Sequence, residues 1–344
     1  MVYVSDKLKR AGYFPIIVPE AATILINAGI TPSIVSPRAF QENVIDLMVA
    51  LERAAEAAAI ASGHPRPVIL CDRGIMGARG YVSDKLFFNI AKKKGLNLGM
   101  MSDARYAGVF HLRTAAFDAE HAYTCANNSA RSETPKEARA RDERTLRAWV
   151  GHPHVRIIHN RVGSFEEKQH ALWKHVCLAL GIPEPLEIER KFLIKPLRLP
   201  LPGVLQQKVV ITQAYAKEKG IPGLIRVRKR VHRGDPTYFA TRKKKLSDTV
   251  YREDERLIDV ATYEKLLARK VGGTGMIQKD RHCFVYRDQY FELDVFKGAH
   301  KGLFLLEIEL LEEGSPVELP PFLRIIREVT NDPAYKNGTL AKSA

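Results

Sequence analysis

Seven short stretches in the second half of the sequence carry charged residues at alternate positions. Glu187, Glu189 and Lys191 come first, then Arg226, Arg228 and Arg230, then Thr241, Lys243 and Lys245. Glu253 and Glu255 follow, then Lys279 and Arg281, Glu292 and Asp294, and finally Glu307 and Glu309. Strand side chains alternate between faces, so residues two apart point the same way. A solvated outer face explains such alternation in any one strand. Seven strands in succession fit that explanation poorly, because same-sign neighbours repel unless opposite charge lies between them. Taken together the sets supply eight basic residues and eight acids. Arginine offers planar, bidentate contacts to phosphate, and lysine offers point charges. Paired carboxylates are oxygen donors suited to Mg²⁺ or Mn²⁺, which bridge to phosphate oxygens.

Two kinds of element must position these residues. In the second half, period-2 alternation of charged with apolar residues predicts an antiparallel sheet or barrel. The first half reads differently, with short apolar runs between helices. Strands are expected at 14–18, 68–71, 109–112 and 155–158, and helices at about 40–62, 134–150 and 165–180. Thr134, Pro135 and Glu137 form a capping-box start, and Gly181 ends the last helix. This grammar predicts an α/β parallel sheet. The expected domains are therefore 1–180 and 186–344, joined by a Gly/Pro-rich linker at 181–185.

The order E-x-E-x-K, R-x-R, K-x-K, E-x-E, K-x-R, E-x-D, E-x-E resembles the CYTH superfamily of triphosphate tunnel metalloenzymes, over residues 186 to about 340. That resemblance implies an α+β domain built on an eight-stranded antiparallel barrel with a polar tunnel. It implies that Lys191, Arg226, Arg228, Lys243, Lys279 and Arg281 contact a triphosphate. Glu307 and Glu309 would be the main ligands of Mg²⁺ or Mn²⁺, assisted by Glu187 and Glu189. The implied chemistry is attack at a phosphoryl centre, with water as nucleophile in a hydrolase and a ribose hydroxyl in a cyclase. Inorganic triphosphate, a nucleoside triphosphate and thiamine triphosphate all stay open as substrates. A non-catalytic module that binds a nucleotide, polyphosphate or anionic lipid in trafficking or signalling is the alternative.

In the first half, Val68–Cys71 followed by Asp72 and Arg73 reads as a strand ending in a carboxylate placed to hold Mg²⁺. Glu20 stands in a similar place after Val18, so Glu20, Asp72 and Arg73 are the candidate nucleotide-site residues. The segment 127–149 is rich in arginine and reads mostly as a solvated helix. Residues 14–180 resemble the P-loop ATPase/kinase-like domain joined to a CYTH domain in the TRPL-translocation-defect protein family. The landmarks are 17–22, 71–74, 127–134 and 149–154. The G-x-x-x-x-G-K-[ST] loop of that family does not occur in the sequence, and 1–12 resembles the tail of the helix that follows it. A truncated chain or a degenerate scaffold would account for this, and ordinary ATP or GTP hydrolysis by this half is not expected.

The 344 residues carry a formal net charge of +15, which admits nucleic acid, an anionic membrane surface or a polyanionic small molecule as partner. Basic residues interleaved with acids on one sheet, without an RNA-binding aromatic signature, disfavour nucleic acid. Cys71, Cys125, Cys177 and Cys283 are too dispersed for a zinc site or disulfide framework and suit the reducing cytoplasm. No apolar run is long enough to span a bilayer, and the first thirteen residues lack a signal-peptide core.

Overall fold

The computed structural model describes residues 1–120, 123, 133–161, 163–182, 186–218, 220, 223–245 and 250–344, without the side chains of 100, 186, 187, 244, 245 and 250–252. Packing divides the chain into two compact units. One comprises Met1–Asn97, His111–Trp149 and Ile158–Trp173; the other comprises Leu98–Phe110, Val150–Ile157 and Lys174–Ala344.

The elements of the first 180 residues are α1 (Val2–Arg10), β1 (Phe14–Val18), α2 (Ala21–Asn27), α3 (Pro32–Val35), α4 (Pro37–Ala61), β2 (Pro67–Cys71), α5 (Asp84–Lys93), β3 (Val109–Leu112), α6 (Pro135–Trp149), β4 (Val155–Ile158) and α7 (Phe165–Leu180). Proline at the first position starts α4 and α6 with φ already set. The α6 start is a reciprocal capping box: Glu137 N–H donates to Thr134 Oγ1 at 3.3 Å, and Thr134 N–H donates to Glu137 Oε2 at 2.8 Å. Helix α7 stops at Gly181, whose φ of +64° suits glycine.

The expected parallel sheet forms only in part among the described residues. β1 pairs with β2 in parallel, from Phe14 opposite Pro67 to Val18 opposite Cys71, and β3 pairs separately with β4. Parallel sheets bury both faces, yet Phe14, Ile17 and Leu112 are exposed. Among the described residues the four apolar runs supply two pairs, with no further strand to join them.

The remainder of the chain forms β5 (Leu186–Ile194), β6 (Gln206–Ala216), β7 (Ile225–His232), β8 (Asp235–Lys245), β9 (Val250–Ile258), α8 (Val260–Leu267), β10 (Ile277–Tyr286), β11 (Gln289–Phe296), β12 (Phe304–Leu310), β13 (Ile325–Glu328) and α9 (Asn337–Leu340). The nine strands make one large sheet in the order β12-β11-β10-β6-β7-β8-β9-β5-β13, and the registered pairs are antiparallel. β12 also pairs with β5, from Leu305 opposite Leu193 to Leu310 opposite Ile188. The pairings therefore pass through eight strands and return to where they began.

One apolar core of this unit lies on the face of the sheet opposite the charged sets. Phe192, Phe284, Phe291, Leu293, Leu306 and Ile308 pack there, beneath Leu201 and Leu323 from the connecting segments. The alternate residues of the same strands are charged and yet buried. On β12, Leu306 and Ile308 belong to the apolar core, while Glu307 between them faces the other way at 7% exposure.

Candidate functional site

Strand register brings the seven charged sets onto one face, because directly opposed residues in antiparallel strands share a face. Glu307 lies opposite Lys191 on one side and Glu292 on the other. Glu309 lies opposite Glu189, and Arg281 opposite Asp294. Across the sheet, Thr241 lies between Arg226 and Glu255, and Lys243 lies opposite Glu253. β6 connects the two groups, with Val209 opposite Arg281, Ile211 opposite Lys279 and Gln213 opposite Arg228. Glu187 and Lys245 both lie opposite Tyr251, and their side chains fall outside the described residues.

The first cluster is built on β5, β10, β11 and β12. Asp294 is fully buried and accepts from Arg281 twice, at 2.7 Å each, and from Lys279 Nζ. Arg281 also reaches Glu307 at 2.7 Å and pairs with Glu292. Lys191 Nζ lies 2.9 Å from Glu307 and 3.4 Å from Glu189. Burial at this level is tolerable only for charges that are paired. Burial pulls the Arg281 guanidinium down, but the carboxylates of Asp294, Glu292 and Glu307 more than offset it and hold it well above its ordinary value. The Lys191 ammonium is likewise raised by Glu189 and Glu307 against burial. Burial dominates at Lys279, which is lowered despite Asp294. Glu307 is pushed up by burial but held well below the usual carboxylate range by Lys191, Lys279 and Arg281. Glu292 goes the other way: burial raises it, and the Glu309 and Asp294 charges add to that rise.

The second cluster is built on β7, β8 and β9. Arg226 donates to Glu253 at 2.7 Å and lies 3.6 Å from Glu255; Lys243 is 3.0 Å from Glu253. Thr241 donates its hydroxyl to Glu255 at 2.6 Å. Arg228 reaches no nearer than 3.8 Å to Glu255, and burial together with the neighbouring Arg226 charge lowers it. Arg230 differs from its strand neighbours. It donates to the Gly151 carbonyl at 2.7 Å and lies 3.5 Å from Asp103, so it anchors the 98–110 and 150–157 segments of the same unit.

Those segments also reach the charged face. His154 Nε2 lies 3.7 Å from Glu255, and Arg156 pairs with Glu309. Burial raises Glu309, and Arg156 and His154 bring it below its ordinary value. Gly151 N–H donates to the Tyr290 hydroxyl at 3.0 Å, and Val150 packs with Val209, Ile211 and Cys283. The sequence marks 149–154 as a landmark and 155–158 as a strand but does not place His154 or Arg156 at this face, since both lie far from the alternating strands. Nor does it mark Gln213, which is fully buried opposite Arg228. Among the described residues, neither polar atom of the Gln213 amide nor the Arg228 Nε has a hydrogen-bond partner. The orphaned donors Gln213 Nε2 and Arg228 Nε on this charged face suit an anionic oxygen-rich ligand. For a hard divalent cation the donor chemistry also fits, since Glu189 and Glu309 oppose each other and Glu307 is one pleat away. Among the described residues, no three His, Cys, Asp or Glu side chains come together closely enough to hold a metal by themselves.

The candidates of the first unit form a smaller group. Arg73, at the end of β2 with φ +71°, lies 2.6 Å from Glu20 and donates to the Tyr81 hydroxyl. Burial lowers the Arg73 guanidinium, and the nearby Tyr81, Glu20 and Asp72 raise it further than that. The Asp72 N–H donates to the Val18 carbonyl at 2.9 Å, which brings the ends of β1 and β2 together. The arginines of α6 are less solvated than expected. Arg144 donates to the Gly80 carbonyl at 2.9 Å, Arg139 to the Ala116 carbonyl at 2.8 Å, and Arg141 stacks over Tyr81. Arg131 and the rest of 124–132 lie outside the described residues.

The large antiparallel sheet and its charged face define a CYTH-like domain. More particularly, the chain belongs to the family of the inorganic triphosphatase of Nitrosomonas europaea, to which it is 34% identical over 158 residues, 46% of this chain and 97% of that protein. The inorganic triphosphatase of Acetivibrio thermocellus is 38% identical over 68 residues, 20% of this chain and 42% of that protein. A solved inorganic triphosphatase structure matches with a TM-score of 0.32 at 34% identity, covering 46% of this chain and 95% of that one. A family model described as an AAA domain matches residues 3–168. No helix among the described residues is long and apolar enough to cross a membrane.

Proposed function

We propose that this protein binds a triphosphate on the charged face of its large sheet, inside a tunnel closed by the β5–β12 pairing, and hydrolyses it. The observation that carries this reading is the cluster of Lys191, Lys279 and Arg281, all buried on one sheet face and linked through Glu307 and Asp294. A family whose Nitrosomonas member is an inorganic triphosphatase supports it. Lys191, Arg226, Arg228, Lys243, Lys279 and Arg281 would bind and orient the phosphates. Water attacks the terminal phosphorus, the bridging P–O bond breaks, and these cations take up the charge that develops on the leaving oxygen. Glu307 and Glu309, with Glu187 and Glu189, would hold Mg²⁺ or Mn²⁺. When bound, the metal neutralises phosphate charge and polarises the phosphoryl group.

For the first unit, we infer an AAA-type, P-loop-related domain of the kind found in the TRPL-translocation-defect family. Glu20, Asp72 and Arg73 would stand near any nucleotide it takes. A cytoplasmic location accords with the dispersed cysteines. Phosphate release measured on inorganic triphosphate, ATP and thiamine triphosphate, with Mg²⁺ or Mn²⁺, tests the main reading and ranks the substrates. Turnover that Lys191→Ala abolishes supports it. Tight triphosphate binding without turnover would instead indicate a regulatory sensor.

A further inference from the structure

Residues 150–157 precede the sheet in sequence but pack within the same compact unit. They are fastened there by Arg230 to the Gly151 carbonyl, by Gly151 N–H to Tyr290, and by Val150 among Val209, Ile211 and Cys283. His154 and Arg156 are two residues apart on this segment, and both reach carboxylates of the charged face, Glu255 and Glu309.

We propose that Arg156 is a further triphosphate-binding residue, so that the site is completed by a segment outside the strands. This rests on the triphosphate reading of the charged face. Charge balance is the first argument. The seven alternating sets supply eight cations and eight carboxylates, and Arg230 is engaged by Asp103 and Gly151. With Arg230 neutralised by Asp103, the strands leave seven cations against eight carboxylates, and Arg156 offsets the excess carboxylate. Geometry is the second. Glu309 lies directly opposite Glu189, a like-charge pair that is costly unless a cation intervenes. Arg156 meets that need by pairing with Glu309, with its side chain 17% exposed. Arg156 Nη2 donates to Glu309 and Nη1 to the Val155 carbonyl at 3.1 Å; a guanidinium has five donors in a fixed fork, so its remaining N–H groups can take a phosphate oxygen. Arg156 also falls within the stretch matching the AAA-domain model.

The test is calorimetric titration of the full chain with sodium tripolyphosphate and no added metal. Wild type, Arg156→Gln, Arg156→Lys and Lys191→Gln would be compared, with thermal melts to establish that each is folded. Arg156→Gln should weaken binding on the order of tenfold or more, and Arg156→Lys should recover part of it. If Arg156→Gln binds within twofold of wild type or more tightly while Lys191→Gln loses binding, the proposal is overturned and the triphosphate reading stands. If wild type does not bind tripolyphosphate at all, the triphosphate reading falls and this proposal with it.

Discussion

Asp294 shows most clearly how single residues hold this site together. It is fully buried and takes hydrogen bonds from both Lys279 and Arg281. Removing one partner of a buried pair leaves uncompensated charge, so Asp294→Asn should cost about 3–5 kcal/mol, read from the midpoint of urea unfolding. His152 gives a second residue-level expectation. Its Nδ1 accepts the His154 N–H at 3.0 Å, and its Nε2–H donates to the Tyr106 carbonyl at 3.0 Å, which fixes a neutral ring. Burial pushes its pKa down to about 3 from an ordinary 6.5. Between those values the unfolded chain binds the proton and the folded one does not. Its contribution is therefore intact above about pH 6.5 and is lost as pH falls, by about 1.4 kcal/mol per unit. Urea unfolding at pH 7 and 5.5 should show a smaller loss on acidification in His152→Gln than in wild type. The same steepness in both would contradict this role.

At the scale of elements, the sequence was legible where chemistry recurs at a fixed period. Seven strands announced themselves by charges two residues apart, and β1, α6 and α7 by apolar runs, a capping box and a terminal glycine. β6 did not, because the positions it gives to the charged face are Gln207, Val209, Ile211, Gln213 and Tyr215, with no charge to reveal the alternation. Nor could spacing reveal that 150–157 packs with the sheet. That packing depends on Gly151, whose φ is +105° and whose Cβ position would lie 2.6 Å from the His232 ring. Gly151→Ala is thus strained in the backbone and blocked by a buried ring. It should destabilise the chain by about 1–3 kcal/mol in urea unfolding. A change below a few tenths would show that the segment is loosely held.

At the scale of the molecule, a net charge of +15 pointed to an anionic partner without saying where it binds. On the large sheet one apolar cluster lies on one face, and the buried charges lie on the other beside smaller apolar clusters around Val209 and Leu305. Each charge there is legible in the sequence, but its partners are not, since pairs such as Lys191 with Glu307 join residues more than a hundred positions apart. The central claim is that this face hydrolyses a triphosphate with the help of a divalent cation. The direct measurement is steady-state phosphate release from inorganic triphosphate by the full chain, wild type against Glu307→Gln, across a Mg²⁺ or Mn²⁺ titration. The account predicts metal-dependent release in wild type and a loss on the order of a hundredfold in the variant. Release that needs no metal, or that survives in Glu307→Gln, would contradict it.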